Sequence, residues 1–236
     1  MITGLFDRVL IRFAGSAAVL SLVAVTLGEL TPVSTQASTG RIEGQVRLIL
    51  PPANAVPSGV YPSRRVNRPA PKASELTNVV VFLKDVARVD DLTTTTATIT
   101  QKDEAFVPRV VAITRGSTVV FPNADPFFHN VFSLSRGAVF DLGQYRKGVT
   151  KDRRFTSAGL VKVYCHIHSH MTASIMIFDH PYFRMPGADG TFVIDDVPAG
   201  AHKIIAWHER IGESESSIRV EAGRTTKVEF ALPMDQ

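Results

Sequence analysis

The sequence predicts an all-β protein made of two β-sandwiches of unequal size. Short runs of β-branched and aromatic residues recur from residue 41 to residue 232. Turn residues such as glycine, proline and asparagine separate these runs, and we find no long helical period after residue 38. Many short strands at even turn spacing are typical of sandwiches and barrels.

The composition is that of an ordinary globular chain with room for two small domains. The chain has 236 residues, of which 44% are hydrophobic and 20% charged. Its net charge of +4 is mild and no clustered basic stripe is visible, so we expect no binding to nucleic acid. A basic docking face for an acidic protein partner is the alternative use of this charge.

Residues 1–38 are predicted to be an export signal. Arg8 and Arg12 precede an uncharged run at residues 13–28, and a polar segment of small residues follows. The run is shorter than a comfortable membrane span. We therefore expect cleavage near Ala37 and an exported, periplasmic mature protein with no membrane span. An uncleaved N-terminal membrane anchor is the alternative.

The first strand candidates lie in residues 41–85. Arg41–Leu50 is apolar at alternate positions, and Asn78–Lys84 is a continuous β-branched and aromatic run. Residues 51–72 between them are rich in proline, serine and arginine, which predicts an exposed excursion.

Strand candidates continue through the middle and the tail of the chain, and turn signals separate them. Those of the middle are Thr98–Gln101, Val110–Thr114, Thr118–Phe121, Val131–Leu134, Gly159–Cys165 and Ala173–Asp179. Those of the tail are Thr191–Ile194, His202–Trp207, Ser216–Val220 and Thr226–Leu232. The tail, which begins with an Asp189-Gly190 turn, indicates a second and smaller sandwich.

Residues 163–171 carry a concentration of metal-binding side chains. They hold the only cysteine of the chain, three of its seven histidines and one of its five methionines. Thiolate, imidazole and thioether suit a soft, redox-active metal, and a Cys/His/His site with an axial Met is the blue-copper arrangement. Cys165, His168 and Met171 offer three of these ligands, so a second histidine has to come from elsewhere. In an oxidising compartment a lone cysteine is a buried thiol, an intermolecular bridge or a metal thiolate, and the neighbouring histidines favour the thiolate.

Four motifs in the middle of the chain resemble the cupredoxins, the family of plastocyanin and amicyanin. They are Phe106-Val107-Pro108, the run Arg115–Asn123, His129-Asn130-Val131 and the segment Tyr164–Met171. The Cys-x-x-His-x-x-Met spacing is most similar to that of amicyanin. The resemblance covers about residues 95–180 and implies a cupredoxin Greek-key β-sandwich.

The same resemblance implies a site and a function. It implies one type 1 copper ion, and the four metal ligands would be His129, Cys165, His168 and Met171. Asn130, which follows the first ligand, would help to hold the ligand loop. The implied function is transfer of single electrons between redox proteins, with an amine dehydrogenase as an example of a donor and a cytochrome c as an example of an acceptor.

Five other side chains near these ligands have more than one interpretation. His166 and His170 point into solvent, or they form an accessory metal site, or one of them replaces His168 as the ligand. Phe127, Phe128 and Ile167 belong to the core, or they line an apolar docking patch beside His168.

The tail resembles the carboxypeptidase regulatory-like, or transthyretin-like, domain. The resemblance is carried by Asp189–Ile194 and Val197–Lys203, whereas Gly44–Val46 and Val79–Phe82 match the opening strands of such a domain. Our hypothesis is that the cupredoxin domain, residues 95–180, is inserted into an Ig/transthyretin-like β-sandwich built from residues 41–85 and 187–236.

Three functions are consistent with these patterns. The leading one is an exported type 1 copper electron carrier that is not an enzyme. The second is a periplasmic protein that binds and delivers copper with its histidine-rich loop. The third is a small metalloenzyme with an open metal position, which would require that Met171 does not coordinate.

Overall fold

The computed structural model describes residues 39–49 and 73–233 and is almost entirely β, which confirms the predicted fold class. The predicted signal and the proline-rich excursion lie outside the described residues. Before residue 100 the elements are β1 (Thr39–Ile49), the short 3-10 helix η1 (Ala73–Asn78), β2 (Val79–Lys84) and β3 (Thr96–Thr98). Next come β4 (Thr100–Lys102), β5 (Ala105–Val107), β6 (Val110–Thr114), β7 (Thr118–Pro122), β8 (His129–Ser135), β9 (Ala138–Tyr145) and β10 (Thr150–Arg154). The last are β11 (Gly159–Tyr164), β12 (Thr172–Phe178), β13 (Phe183–Arg184), β14 (Thr191–Pro198), β15 (Gly200–His208), β16 (Gly212–Val220) and β17 (Thr225–Pro233).

Strands from the two ends of the described chain form one sandwich, which we call the split sandwich. One of its sheets has the order β14-β1-β17, and β1 runs antiparallel to β14 and parallel to β17. The other sheet has the order β13-β2-β15-β16. Alternate apolar residues of both sheets meet in one core, among them Ile42, Val46, Val81, Ile194, Ile204 and Phe230.

The strands between β2 and β13 form the second sandwich, which we call the middle sandwich. It packs a five-stranded sheet of order β6-β12-β11-β8-β9 against a three-stranded sheet of order β10-β7-β3, with the small β4–β5 hairpin beside them. Its core includes Ile99, Phe106, Val119, Phe121, Val163 and Ile175.

Two strands are apolar on both faces because both of their faces are buried. In β2, Val79, Val81 and Leu83 enter the core of the split sandwich, whereas Val80 lies on the other face. In β12, Ile175 and Ile177 enter the core of the middle sandwich, whereas Met176 and Phe178 lie on the other face. The outward residues of the two strands share one apolar cluster, whose members include Val80, Phe82, Val110, Met176, Phe178 and Trp207. This cluster joins the two sandwiches.

Most strand candidates correspond to strands, with shifted ends. The candidate at Thr98–Gln101 is divided between β3 and β4. Four strands were not predicted from the sequence: β5, β9, β10 and β13. Residues 150–154 of β10 are all charged or polar and mostly exposed, so no apolar period marks this strand. Within the described residues we find no helix long and apolar enough to cross a membrane.

Candidate metal centre

The site is built at the end of the middle sandwich where β8 begins and β11 ends. His129 is the first residue of β8, and Cys165 directly follows the last residue of β11. The two strands are antiparallel neighbours, with Tyr164 opposite Phe132. The start of one strand and the end of the other therefore lie at the same edge of the sheet.

The side chains of His129, Cys165 and His168 converge on one point. The two Nδ1 atoms of His129 and His168 are 3.0 Å apart, and Cys165 Sγ lies 3.9 Å from His129 Nδ1. In the part of the chain that the structure describes, this is the one group of three or more His, Cys, Asp or Glu residues whose ligand atoms all lie within 4.8 Å of one another. His129 and Cys165 are buried, and His168 is partly buried.

This donor set fits a metal ion. Metal–nitrogen and metal–sulfur bonds are about 2.0–2.3 Å long, so ligand atoms at these separations can share one ion. Two imidazole nitrogens that face each other at 3.0 Å repel if both carry lone pairs, unless a cation lies between them. A metal ion would remove that repulsion and accept the thiolate of Cys165 as well.

Met171 closes the loop that carries Cys165 and His168. Its backbone N–H donates to the carbonyl oxygen of His168 at 2.9 Å, which makes a tight turn. The side chain is 1% exposed and lies in the same apolar cluster as Cys165. Met171 is thus held inside the sandwich at the end where the three ligand side chains meet.

The second nitrogen of His129 contacts a buried carboxylate that the sequence analysis did not single out. His129 Nε2 lies 2.8 Å from Asp125 Oδ2. Burial tends to raise the pKa of Asp125, but hydrogen bonds from the backbone N–H of Glu104, from His129 and from the backbone N–H of Asp103 outweigh it, so this pKa lies below its ordinary value. An aspartate four residues before a ligand histidine is the signal in the sequence that could have found it.

A buried tyrosine joins the sheets behind the site. The hydroxyl of Tyr145 donates to the carbonyl oxygen of Phe121 at 2.9 Å and accepts a hydrogen bond from the side chain of Gln101. Burial raises the pKa of Tyr145, and the nearby Cys165 raises it further. Tyr145 therefore stays neutral at physiological pH.

The structure does not bring His166 and His170 into the cluster. His166 stacks on the ring of Phe132 at 3.7 Å between centroids, and its Nε2 lies 3.6 Å from Asp141 Oδ2. His170 Nε2 lies 3.6 Å from Glu104 Oε2. Both imidazoles are more than half exposed and face different carboxylates. This arrangement does not favour a metal site shared by these two histidines.

Three exposed apolar side chains lie next to ligand residues in the chain or in space. Phe127, Phe128 and Ile167 are each about half exposed. The Phe127 ring centroid is 6.1 Å from that of His129 and 6.2 Å from that of His168. Phe127 therefore provides an apolar surface beside the candidate metal centre, and Phe128 and Ile167 adjoin Phe127 and His168 in the chain.

Comparison with solved structures finds similarity to cupredoxins. A reduced amicyanin variant is 19% identical and the match covers 35% of this chain and 82% of amicyanin, with a TM-score of 0.34. A purple cupredoxin from Nitrosopumilus maritimus is 23% identical over 35% of this chain and 99% of its own, with a TM-score of 0.32. No family model and no curated protein sequence matches the chain. The predicted cupredoxin resemblance is confirmed as a likeness of fold.

One similar structure requires a correction. The Cu-containing nitrite reductase of Thermus scotoductus is 22% identical over 41% of this chain, with a TM-score of 0.34, and the match spans 25% of the reductase. The prediction that excluded an enzymatic function is therefore wrong, because an enzyme is among the similar structures. We withdraw that exclusion.

Proposed function

We propose that the protein carries single electrons between redox proteins and uses one type 1 copper ion bound by His129, Cys165 and His168, with Met171 as the axial ligand. The observation that carries this proposal is the convergence of one sulfur and two Nδ1 atoms at a buried point. Thiolate and imidazole are the donors of blue-copper centres, whose potential is tuned by the axial ligand and by hydrogen bonds near the sulfur. Copper supplies the one-electron couple when bound.

The protein framework suits fast electron transfer because it keeps the ligands in place. His129 is held by a strand and by Asp125, and Cys165 is held between β11 and a tight turn. Ligands fixed in this way move little when the charge of the ion changes. A site for loading and releasing copper would instead need ligands that can leave, and no contact of the exposed His166 or His170 supports that function.

The apolar surface beside His168 supports a docking role. Exposed aromatic and aliphatic side chains clustered at one place mark interaction sites. Phe127, Phe128 and Ile167 would contact the partner, and electrons would pass through the nearby edge of His168. We propose a redox protein as the partner, with an amine dehydrogenase as donor and a cytochrome c as acceptor as the specific candidates.

We also propose the domain organisation and the location. Residues 95–180 would form the copper domain, inserted into a regulatory-like sandwich made of residues 41–85 and 187–236. The pairing of β1 with β14 and β17 supports this organisation. The charge and length pattern of residues 1–38 supports export to the periplasm.

The test is the visible absorption spectrum of the Cu(II)-loaded chain from residue 39 onward, beside Cys165→Ser and His170→Ala. We expect an intense thiolate-to-copper charge-transfer band in the parent protein and in His170→Ala. Reductant should bleach the band, and Cys165→Ser should lack it. A parent protein without this band, or a Cys165→Ser variant that keeps it, would contradict the proposal. Loss of Cu(II) binding in His170→Ala alone would instead favour copper delivery by the histidine-rich loop.

A further inference from the structure

We propose that Asp125 is the positioning residue of the metal centre: its carboxylate fixes His129 so that Nδ1 carries the free lone pair toward Cys165 and His168. The inference rests on the proposed function for its biological meaning. Its central observation is independent of copper, because it concerns a hydrogen bond within this chain.

The carboxylate of Asp125 is surrounded by donors. Its Oδ1 accepts the backbone N–H of Asp103 at 2.7 Å, and its Oδ2 accepts the backbone N–H of Glu104 at 3.0 Å. The same Oδ2 lies 2.8 Å from His129 Nε2. The side chain of Asp125 is 6% exposed and that of His129 is fully buried. Burial of a carboxylate is tolerated when its oxygens accept hydrogen bonds in this way.

A rigid turn supplies the two backbone donors. Asp103 and Glu104 connect β4 to β5, and both have positive φ angles, 54° and 53°. This left-handed pair points two successive N–H groups at one anion. Asp125 is also fixed from its own backbone, because its N–H donates to Asn123 Oδ1 at 2.9 Å. The position of the carboxylate is therefore set before any metal binds.

This arrangement decides which nitrogen of His129 carries the proton. An ionised carboxylate only accepts hydrogen bonds, so His129 Nε2 has to donate. In a neutral imidazole the other nitrogen then has the lone pair. That nitrogen is Nδ1, the atom that faces His168 Nδ1 and Cys165 Sγ. A carboxylate on the distal nitrogen of a metal-binding histidine also makes that histidine a stronger donor.

Asparagine cannot replace this carboxylate without leaving a polar group unpaired. Its oxygen can stand at only one of the two carboxylate positions, and its NH2 group then faces either the Asp103 N–H or the Glu104 N–H and His129. In either orientation of the amide, an N–H group of the asparagine would face an N–H donor of its neighbours, and no acceptor would lie between them. The substitution also removes a negative charge close to the metal, which should favour the less positive, reduced state of the ion.

The first experiment measures the tautomer of His129 in the metal-free parent protein by nitrogen-15 NMR. We expect the Nε2–H tautomer, with this proton protected from exchange with water. A proton on Nδ1 in the metal-free chain would overturn the proposal. The measurement needs neither copper nor a variant, so it decides the role of Asp125 even if the copper spectrum shows no charge-transfer band.

The second experiment compares Zn(II) affinities by competition with a chelator for Asp125→Asn and Glu104→Gln. Glu104→Gln is the matched control, because it removes a carboxylate that faces the non-cluster His170 and keeps the backbone N–H that Asp125 accepts. We expect roughly 10–100-fold weaker Zn(II) binding for Asp125→Asn and less than about 3-fold change for Glu104→Gln. Equal affinities in Asp125→Asn and the parent would overturn the proposal.

A third readout separates positioning from general stability. The reduction potential of copper-loaded Asp125→Asn should be higher than that of the parent, whereas that of Glu104→Gln should be close to it. A purely structural Asp125 would lower the melting temperature of the variant and leave the potential unchanged, and this result would contradict the proposal.

Discussion

The side chain of Asn130 ties the strand that begins with His129 to the loop that carries Cys165. Its Oδ1 accepts the backbone N–H of His166 at 2.7 Å, and its Nδ2 donates to Asp141 Oδ1 at 3.2 Å. Asn130 is 1% exposed, whereas its partners His166 and Asp141 are exposed residues, so both bonds are partly buried. The residues directly after the two ligands are therefore joined by one amide.

We expect Asn130→Ala to weaken metal binding and to destabilise the fold. The substitution leaves the partly buried His166 N–H without its partner, which costs about 0.5–1.5 kcal/mol. The matched control is Gln144→Ala, because Gln144 stands opposite Asn130 in β9 and its side chain is exposed. Chemical unfolding and Zn(II) titration of both variants check the prediction. Equal losses in the two variants would contradict it.

The contact between the sandwiches can be tested with two residues that stand opposite each other on adjacent strands. Leu160 of β11 is paired with Met176 of β12. Met176 is 9% exposed in the apolar cluster that joins the sandwiches, whereas Leu160 is 41% exposed. We expect Met176→Ala to lower the free energy of unfolding by about 2–4 kcal/mol and Leu160→Ala by less than about 1 kcal/mol. Denaturant unfolding measures both, and similar costs would argue against a packed contact.

Gly190 should not tolerate a side chain. Its φ is +83°, and a Cβ at this position would lie 2.2 Å from the carbonyl oxygen of Val46. Gly148 has a similar φ of +80°, but a Cβ there meets no atom within 4 Å. We expect Gly148→Ala to cost about 1–2 kcal/mol, from backbone strain alone. Gly190→Ala should cost about 2 kcal/mol more, because the clash adds to the strain. Melting temperatures in the order parent, Gly148→Ala, Gly190→Ala would confirm this, and the reverse order of the variants would refute it.

The buried His208 should make the fold less stable in mild acid. Its Nδ1 accepts the backbone N–H of Arg210, and its Nε2 lies 3.3 Å from Glu75 Oε2. Burial lowers the pKa of His208 below its ordinary value of 6.5, although Glu75 acts in the opposite direction. Below that pH the unfolded chain takes up a proton on this side chain more readily than the folded chain does. The free energy of unfolding therefore falls as the pH drops through 6.5.

The check is the pH dependence of chemical unfolding for the parent, His208→Gln and His166→Gln. His208→Gln should have a shallower loss of stability between pH 7 and pH 5.5. His166→Gln, which makes the same substitution at a more than half exposed position, is the matched control. If the free energy of unfolding falls as steeply between pH 7 and pH 5.5 in His208→Gln as in the parent, His208 is not the cause of that loss.

The short motif at residues 165–171 identified three of the site residues. Asp125, which lies outside that motif, was not predicted. Cys165, His168 and Met171 lie within seven residues, and their ligand types point to one chemistry. The cupredoxin resemblance added His129 and Asn130, and the structure places both at the same end of the sandwich. Asp125 stands four residues before His129, a spacing that was not used in the prediction. The backbone N–H groups of the β4–β5 turn that also hold its carboxylate leave no pattern in the sequence.

The strands that the sequence predicted correctly have an apolar pattern. Of the missed strands, β10 has none, whereas β9 packs its alternate residues Ala138, Phe140 and Leu142 against the core. Both faces of β2 and β12 are buried, so their apolar runs are long. The polar strand β10 is defined by its pairing with β7. The pairing of β1 with β17 follows from the overall topology, which no local pattern encodes.

The position of β1 has a consequence for the order in which the molecule is assembled. β1 is the central strand of its sheet, but both of its neighbours, β14 and β17, follow the whole middle sandwich in the chain. During synthesis β1 is made long before its partners β14 and β17. The strands of the middle sandwich are closer together in the chain and can pair sooner. Contacts between distant residues form slowly. The middle sandwich can therefore form first, and β17, the last described strand, completes the sheet that contains β1.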